Sequence, residues 1–193
     1  TFLKQIAGVL SPAYGEVRIG GLPHFMIRRY GKDSLYEIMA YAGQNPQINT
    51  DISVRDNLLS PTPSIAMRDE DIRSMLTSLG LEKYATHMDA PIGHPLSGGE
   101  CVRFGIAKAL VRRPKILLLD EPTGPLDQRT AREVWRLIDQ VHASHPRMTM
   151  IVVTHDPIRL EESESAGRER IRVVHMDDMK ARSQAPSRKN GRV

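Results

Sequence analysis

The chain has 193 residues, 40% of them hydrophobic, with a formal net charge of +4 and one cysteine, Cys101. That length suffices for one domain with a buried core, no apolar run approaches the roughly 18 residues that suggest a membrane span, and a lone cysteine excludes an internal disulfide. The positive charge sits at the end, where Lys180, Arg182, Arg188, Lys189 and Arg192 follow Asp178 with no acid among them, so the body before them is nearly neutral and has no basic stripe for a nucleic acid.

Thr1 to Leu10 reads as a helix with Phe2, Leu3, Ile6, Ala7 and Leu10 on one face. Val17 to Ile19 is expected as a strand of an antiparallel side sheet, turned back by Gly20-Gly21. Ile38 to Ala42 is a second apolar run, ended by Gly43-Gln44-Asn45-Pro46, where the backbone must leave the sheet. Ile72, Met75, Leu76 and Leu79 then repeat at helical spacing until Gly80. Met67, Met75 and Met88 read as gap fillers, and His87 and His94 lack metal-ligand spacing with any carboxylate or cysteine.

Ser97-Gly98-Gly99-Glu100 has the form of a helix start, with Ser97 as N-cap and Glu100 closing a capping box. Two glycines let the backbone come close to an anion, and the free amides and helix dipole favour negative charge there, so this end suits a terminal phosphate. Val102, Ile106, Ala109 and Leu110 continue the helix to Arg112-Arg113-Pro114. Ile116 to Leu119, four uninterrupted aliphatics, fits a strand buried on both faces of a parallel sheet. Asp120 and Glu121 follow at its carboxyl end, where ligands of open α/β sheets gather and two adjacent carboxylates can face a metal and a water.

Asp127 can N-cap a helix whose buried stripe is Ala131, Val134, Trp135, Ile138 and Val141. Met150 to Val153 is expected as another buried strand, ended by Thr154-His155-Asp156, which places His155 as Glu121 is placed. Ile171 to Met176 gives a last strand and Asp177-Asp178 a turn. Residues 180–193, rich in Ser, Pro, Asn, Gly and charge, read as a disordered basic tail. The expected fold is one α/β domain with a mainly parallel sheet, an antiparallel edge and a helical insertion over about 46–95.

In order along the chain, LSGGE at Leu96 to Glu100, ILLLDEP at Ile116 to Pro122 and GPLD at Gly124 to Asp127 resemble the signature, Walker B and D-loop motifs of the ATP-binding cassette family. Gln44 and His155 stand at the distances of that family's Q-loop and switch histidine. The resemblance covers nearly the whole chain and implies a P-loop NTPase-like domain over 1–179. TFLKQIAG is similar to the helix that follows the phosphate-binding loop, with Thr1 just after GxxxxGK[ST]. That loop is not in the sequence, so the chain alone is expected to be inactive and to bind ATP weakly.

The resemblance implies the ligands and roles. ATP and Mg2+ are the expected cofactors. Asp120 and Gln44 would serve the metal, and Glu121, His155 and Gln44 the hydrolysis of ATP. Ser97, Gly98, Gly99 and Asp127 would meet the nucleotide and face of a second cassette in a head-to-tail dimer. The implied function is the ATPase subunit or domain of a membrane transporter, working with a transmembrane partner on the cytoplasmic face. LSGGE with DEPTG looks most like the lipoprotein-release and macrolide-export class, although Glu100, Val102 and Pro125 stand where many relatives carry other residues. A soluble cassette ATPase acting on DNA or ribosomes and a non-catalytic regulatory cassette are the alternatives; the nearly neutral body favours transport over the first, and no nucleic acid is expected.

Overall fold

The computed structural model describes residues 2–24, 38–60 and 67–156. The chain enters through α1 (Phe2–Ile6), shorter than the helix to Leu10 that the apolar spacing predicts. Gly8 takes φ of 72° and the amides of Val9 and Leu10 both turn back to the Lys4 carbonyl, so the helix closes early and Leu10 is left 43% exposed. β1 (Arg18–Ile19) and β2 (Leu22–Pro23) form the expected antiparallel side sheet. Their two-residue link, Gly20-Gly21, has positive φ at both positions, which a tight hairpin turn of this kind requires.

β3 (Met39–Ala42) leads into a helical stretch: α2 (Val54–Leu59), α3 (Asp69–Ser78) and α4 (Glu82–Thr86). Ser53 caps α2 by accepting the Asp56 amide. Ile72, Leu76 and Leu79 are buried as their spacing predicts, and Gly80 follows with φ of 67°. Met88 is fully buried in the same core, in the gap-filling role. Asn57 is a buried polar side chain with full employment: it accepts from the Asn49 amide and donates to the Asn49 and Ser53 carbonyls, tying α2 to the segment that follows Gln44.

α5 (Gly98–Leu110), β4 (Ile116–Asp120), α6 (Gln128–Ser144) and β5 (Thr149–Val153) complete the described elements. α5 is buried on more than the single stripe its aliphatics suggest. Phe104, outside that stripe, is wholly buried and stands edge-on to the Tyr84 ring at 5.9 Å, because the helix lies between the sheet and the helical stretch. α6 buries all five residues of its expected stripe.

The parallel sheet has the order β3-β4-β5. Leu117, Leu118 and Leu119 are all fully buried, but they serve different cores. Leu117 and Leu119 join the helices α2 to α6, whereas Leu118 packs with Leu3 and Met39 on the α1 side. Side chains alternate across a strand, so an unbroken aliphatic run is what a strand covered on both faces needs. β5 differs from the expected buried strand: Thr149 is exposed and the rest only half-buried, and the strand pairs with β4 alone, which leaves it at an edge of the sheet among the described residues. These elements belong to one unit that ends at His155. Thr1, the expected strand at 171–176, its turn and the tail at 180–193 lie outside the described residues. Among the described residues no helix is long and apolar enough to cross a membrane.

Candidate functional site

Register brings the site together. Ala42 lies opposite Leu119, and Leu119 opposite Val152, so the three strands end level and their next residues emerge at one edge. There Gln44 donates its side-chain amide to Glu121 Oε2 at 2.8 Å, and His155 Nε2 lies 3.0 Å from Glu121 Oε1. The three residues expected to act together are thus in direct contact, each from the end of a different strand. Both Glu121 oxygens have a second lone pair with which to accept a water.

Glu121 is also held in an unusual backbone conformation, with φ of 46°. Pro122 follows and disfavours the right-handed helical region at position 121, while the Glu121 amide continues the sheet by donating to the Val153 carbonyl at 2.8 Å. A left-handed residue with a side chain costs on the order of 1–3 kcal/mol and persists where its surroundings over-determine it. The fold keeps the carboxylate turned out at this cost. A Cβ at Gly124 would lie 3.4 Å from Glu121 Oε2, in ordinary van der Waals contact with the carboxylate.

Tyr41 is a site residue that the sequence reading missed. Its hydroxyl donates to Asp120 Oδ2 at 2.7 Å, across 79 residues of chain. Burial first, and then this contact with the Asp120 carboxylate, push the Tyr41 phenol well above its ordinary value, so it stays a donor. The penultimate residue of an apolar strand run gives no local cue to such a role; only the parallel register, which sets Tyr41 opposite Leu118, shows it. Asp120 keeps its other oxygen without a hydrogen bond among the described residues, and Gln44 keeps its carbonyl oxygen. Carboxylate and amide oxygens are the ligand type that suits a hard cation such as Mg2+, and among the described residues no three acidic, imidazole or thiol side chains gather into a metal cluster.

The second group of expected residues lies at the start of α5 and satisfies itself locally. Ser97 Oγ accepts the Glu100 amide at 3.3 Å, and Glu100 Oε2 takes both the Ser97 amide at 2.9 Å and the Ser97 hydroxyl at 2.8 Å, a complete capping box. Asp127 caps α6, accepting the Arg129 and Thr130 amides and the Thr130 hydroxyl. The Thr130 bonds, hydroxyl first, hold the Asp127 carboxyl below its ordinary range. The two caps abut. A Cβ on Gly99 would lie 2.7 Å from the Thr130 methyl and one on Gly98 3.0 Å from Leu126 Cδ2. Packing within this chain therefore requires the glycine at position 99, whereas at position 98 a Cβ would press only on the end of a leucine side chain.

The structure thus joins Gln44, Glu121 and His155 at one place, and Ser97, Gly98, Gly99 and Asp127 at another. No hydrogen bond among the described residues links Ser97 or Glu100 to Asp120, Glu121 or His155. A parallel α/β sheet that gathers an amide, two carboxylates and an imidazole at its strand ends, followed and preceded along the chain by capped helices, has the architecture of a nucleotide-handling domain of the P-loop type. The ABC transporter family model matches residues 1–124. The chain belongs to that family.

Among its relatives, the lipoprotein-releasing system ATP-binding protein LolD of Syntrophotalea carbinolica is 34% identical over 184 residues, covering 92% of this chain and 76% of that protein. The ATP-binding protein YtrE of Bacillus subtilis is 32% identical over 162 residues, covering 81% of this chain and 68% of that one. A putative 2-aminoethylphosphonate import ATP-binding protein, PhnT of Salmonella paratyphi A, is 31% identical over 156 residues; the match covers 81% of this chain and 41% of that protein, so the chain spans about two fifths of such relatives. The solved structure of cbiO1 from Clostridium perfringens, part of the ABC transporter complex cbiONQ, superposes with a TM-score of 0.62 at 27% identity, over 80% of this chain and 61% of that one.

Proposed function

We propose that this chain is the nucleotide-binding and hydrolysing part of an ABC transporter, coupling ATP hydrolysis to movement of a substrate through a transmembrane partner. The observation that carries the reading is Glu121, kept in a left-handed conformation at the strand end between the side chains of Gln44 and His155. In phosphoryl transfer to water the protein chiefly positions groups and neutralises charge. Glu121 polarises the attacking water, His155 braces the terminal phosphate, and Gln44 links that pair to the helical stretch over about 46–95. Tyr41 fixes the rotamer of Asp120. Asp120 and Gln44 would hold Mg2+, which neutralises phosphate charge when bound. The 85% exposure of the His155 side chain leaves it open to an incoming phosphate.

Ser97, Gly98 and Gly99 serve a different nucleotide in this reading. A whole helix and a strand separate their helix start from Asp120 along the chain. They close over ATP held by a second cassette, with Asp127 at the same face, in a head-to-tail dimer with two shared sites. The domain works at the cytoplasmic face of the membrane, against its transmembrane partner.

The test uses a chain joined to a relative's GxxxxGK[ST] segment. Glu121→Gln keeps the size and one oxygen that can accept the Gln44 side-chain amide but removes the charge, so ATP hydrolysis should fall by about 10²-fold or more while labelled ATP still binds. Hydrolysis at the parent rate would remove Glu121 from the chemistry and the reading with it.

A further inference from the structure

The helix start at Ser97 contains an electrostatic conflict. A helix N-terminus favours an anion because its amides and dipole are positive there. Glu100, three residues in, stabilises the helix by closing the capping box, yet it puts a full negative charge where a phosphate would have to come. That charge is not free. Lys83 on α4 places its ammonium 2.6 Å from Glu100 Oε1, while Oε2 is taken up by the Ser97 amide and hydroxyl. Lys83 is itself steadied over the Tyr84 ring, 4.8 Å from the centroid, and the Tyr84 hydroxyl stands 3.4 Å from the same Glu100 oxygen. Each carboxylate oxygen thus has two donors around it. Burial pushes the Glu100 carboxyl upward, but Lys83 and the Ser97 bonds outweigh it and bring it down to about 2, so the group is an anion throughout the physiological range.

We propose that Lys83 is a positioning residue for the phosphate-facing helix start: it cancels the charge of Glu100 and orients that carboxylate, leaving the Gly98 and Gly99 end of α5 net attractive to a terminal phosphate. The inference rests on the proposed function and adds a residue from the helical stretch to it. Two consequences follow from the charges alone. Without Lys83, Glu100 opposes the incoming phosphate at short range. With a neutral amide at position 100 no counter-charge is needed, so loss of Lys83 ceases to matter. The pair is half-buried, Lys83 being 53% and Glu100 17% exposed, so loss of Lys83 is read against the melting temperature as well as against activity.

The experiment uses the chain joined to a relative's GxxxxGK[ST] segment and measures ATP-driven dimer formation by light scattering, steady-state hydrolysis, and nucleotide binding to the monomer. Lys83→Met should lower dimer formation and kcat by roughly tenfold with monomer binding nearly unchanged and the protein still folded at the assay temperature, as its melting curve checks. Lys83→Arg, which keeps the charge, should retain most of the parent level, and Lys83→Met combined with Glu100→Gln should regain what Lys83→Met lost. A Lys83→Met protein that dimerises like the parent, or a double variant no better than Lys83→Met, overturns the inference while leaving the ATPase reading intact. A parent that binds ATP but neither dimerises nor hydrolyses it overturns the ATPase reading itself and the inference with it.

Discussion

The strand-end group and the helix-start group are built on opposite plans. Gln44, Tyr41, Asp120, Glu121 and His155 meet through contacts that span 77 and 79 residues, or join neighbouring strands, and they leave side chains turned to solvent. Ser97 with Glu100, and Asp127 with Thr130, close their hydrogen bonds within three residues. The first plan stores its organisation in the fold, with a strained backbone at Glu121 as its cost. The second stores it in local sequence and remains satisfied without a ligand. A catalytic centre made the first way is pre-arranged, whereas a surface made the second way is stable alone and free to wait for a partner.

The two groups meet through α5, which suggests where to break the comparison. Gly105 faces the ring of Pro46, just beyond Gln44, and a Cβ there would lie 2.9 Å from the proline Cβ. Neither a rigid ring nor a buried helix yields easily, so Gly105→Ala should destabilise the fold by about 1–3 kcal/mol. Urea unfolding measures this, and an unchanged midpoint would show that the joint is loose. Hydrolysis in the phosphate-loop-bearing protein should fall too, because Gln44 rides on the displaced segment.

A smaller effect is expected from the helix-start plan alone. Asp127→Ala removes an N-cap with three hydrogen bonds and should lower the urea midpoint by less than Gly105→Ala does. The Gln44, Glu121 and His155 contacts should be untouched, so nucleotide affinity stays the same. A drop in affinity equal to that of a strand-end variant would mean that the two groups are one.

A further effect is a pH term. Glu100 is held at about 2 against an ordinary 4.5, so the stability its ionised form contributes is present above about pH 4.5 and is lost as pH falls through 2. Comparing the acid unfolding of the parent with Glu100→Gln isolates that term. The parent should lose more stability than the variant over this window; parallel curves would mean that Glu100 titrates alike folded and unfolded.

Legibility in the sequence follows the same division. The capping box, the Asp127 cap, the α6 stripe and the Gly20-Gly21 hairpin are local devices, and each is visible from a few adjacent residues. Phe104 was not, because a helix packed on two sides loses the one-sided periodicity that would announce it. The early end of α1 depends on how Gly8 is used, and a glycine in an apolar run does not declare its φ. The edge position of β5 among the described residues and the role of Tyr41 depend on strand order and register, which no single strand carries. The approach of Glu121 to Gln44 and His155 was expected from the ordered motifs; the left-handed turn that presents Glu121 was not, since the pattern names the residue and not its backbone.

In the proposed function the strand-end group works on nucleotide held by its own chain while the helix start works on nucleotide held by another. Ser97→Arg puts bulk and charge on the helix start without touching Asp120, Glu121 or His155. In the phosphate-loop-bearing protein it should leave monomer binding of ATP nearly intact and abolish ATP-driven dimerisation and hydrolysis. The direct measurement mixes Ser97→Arg subunits with Glu121→Gln subunits, each inactive alone, and follows ATP hydrolysis. In a mixed head-to-tail dimer one site collects both defects and the other collects neither, so the account predicts that activity returns on mixing. A mixture as inactive as its components, with Ser97→Arg subunits that no longer bind ATP as monomers, would show that the helix start serves its own chain's nucleotide and would contradict the account.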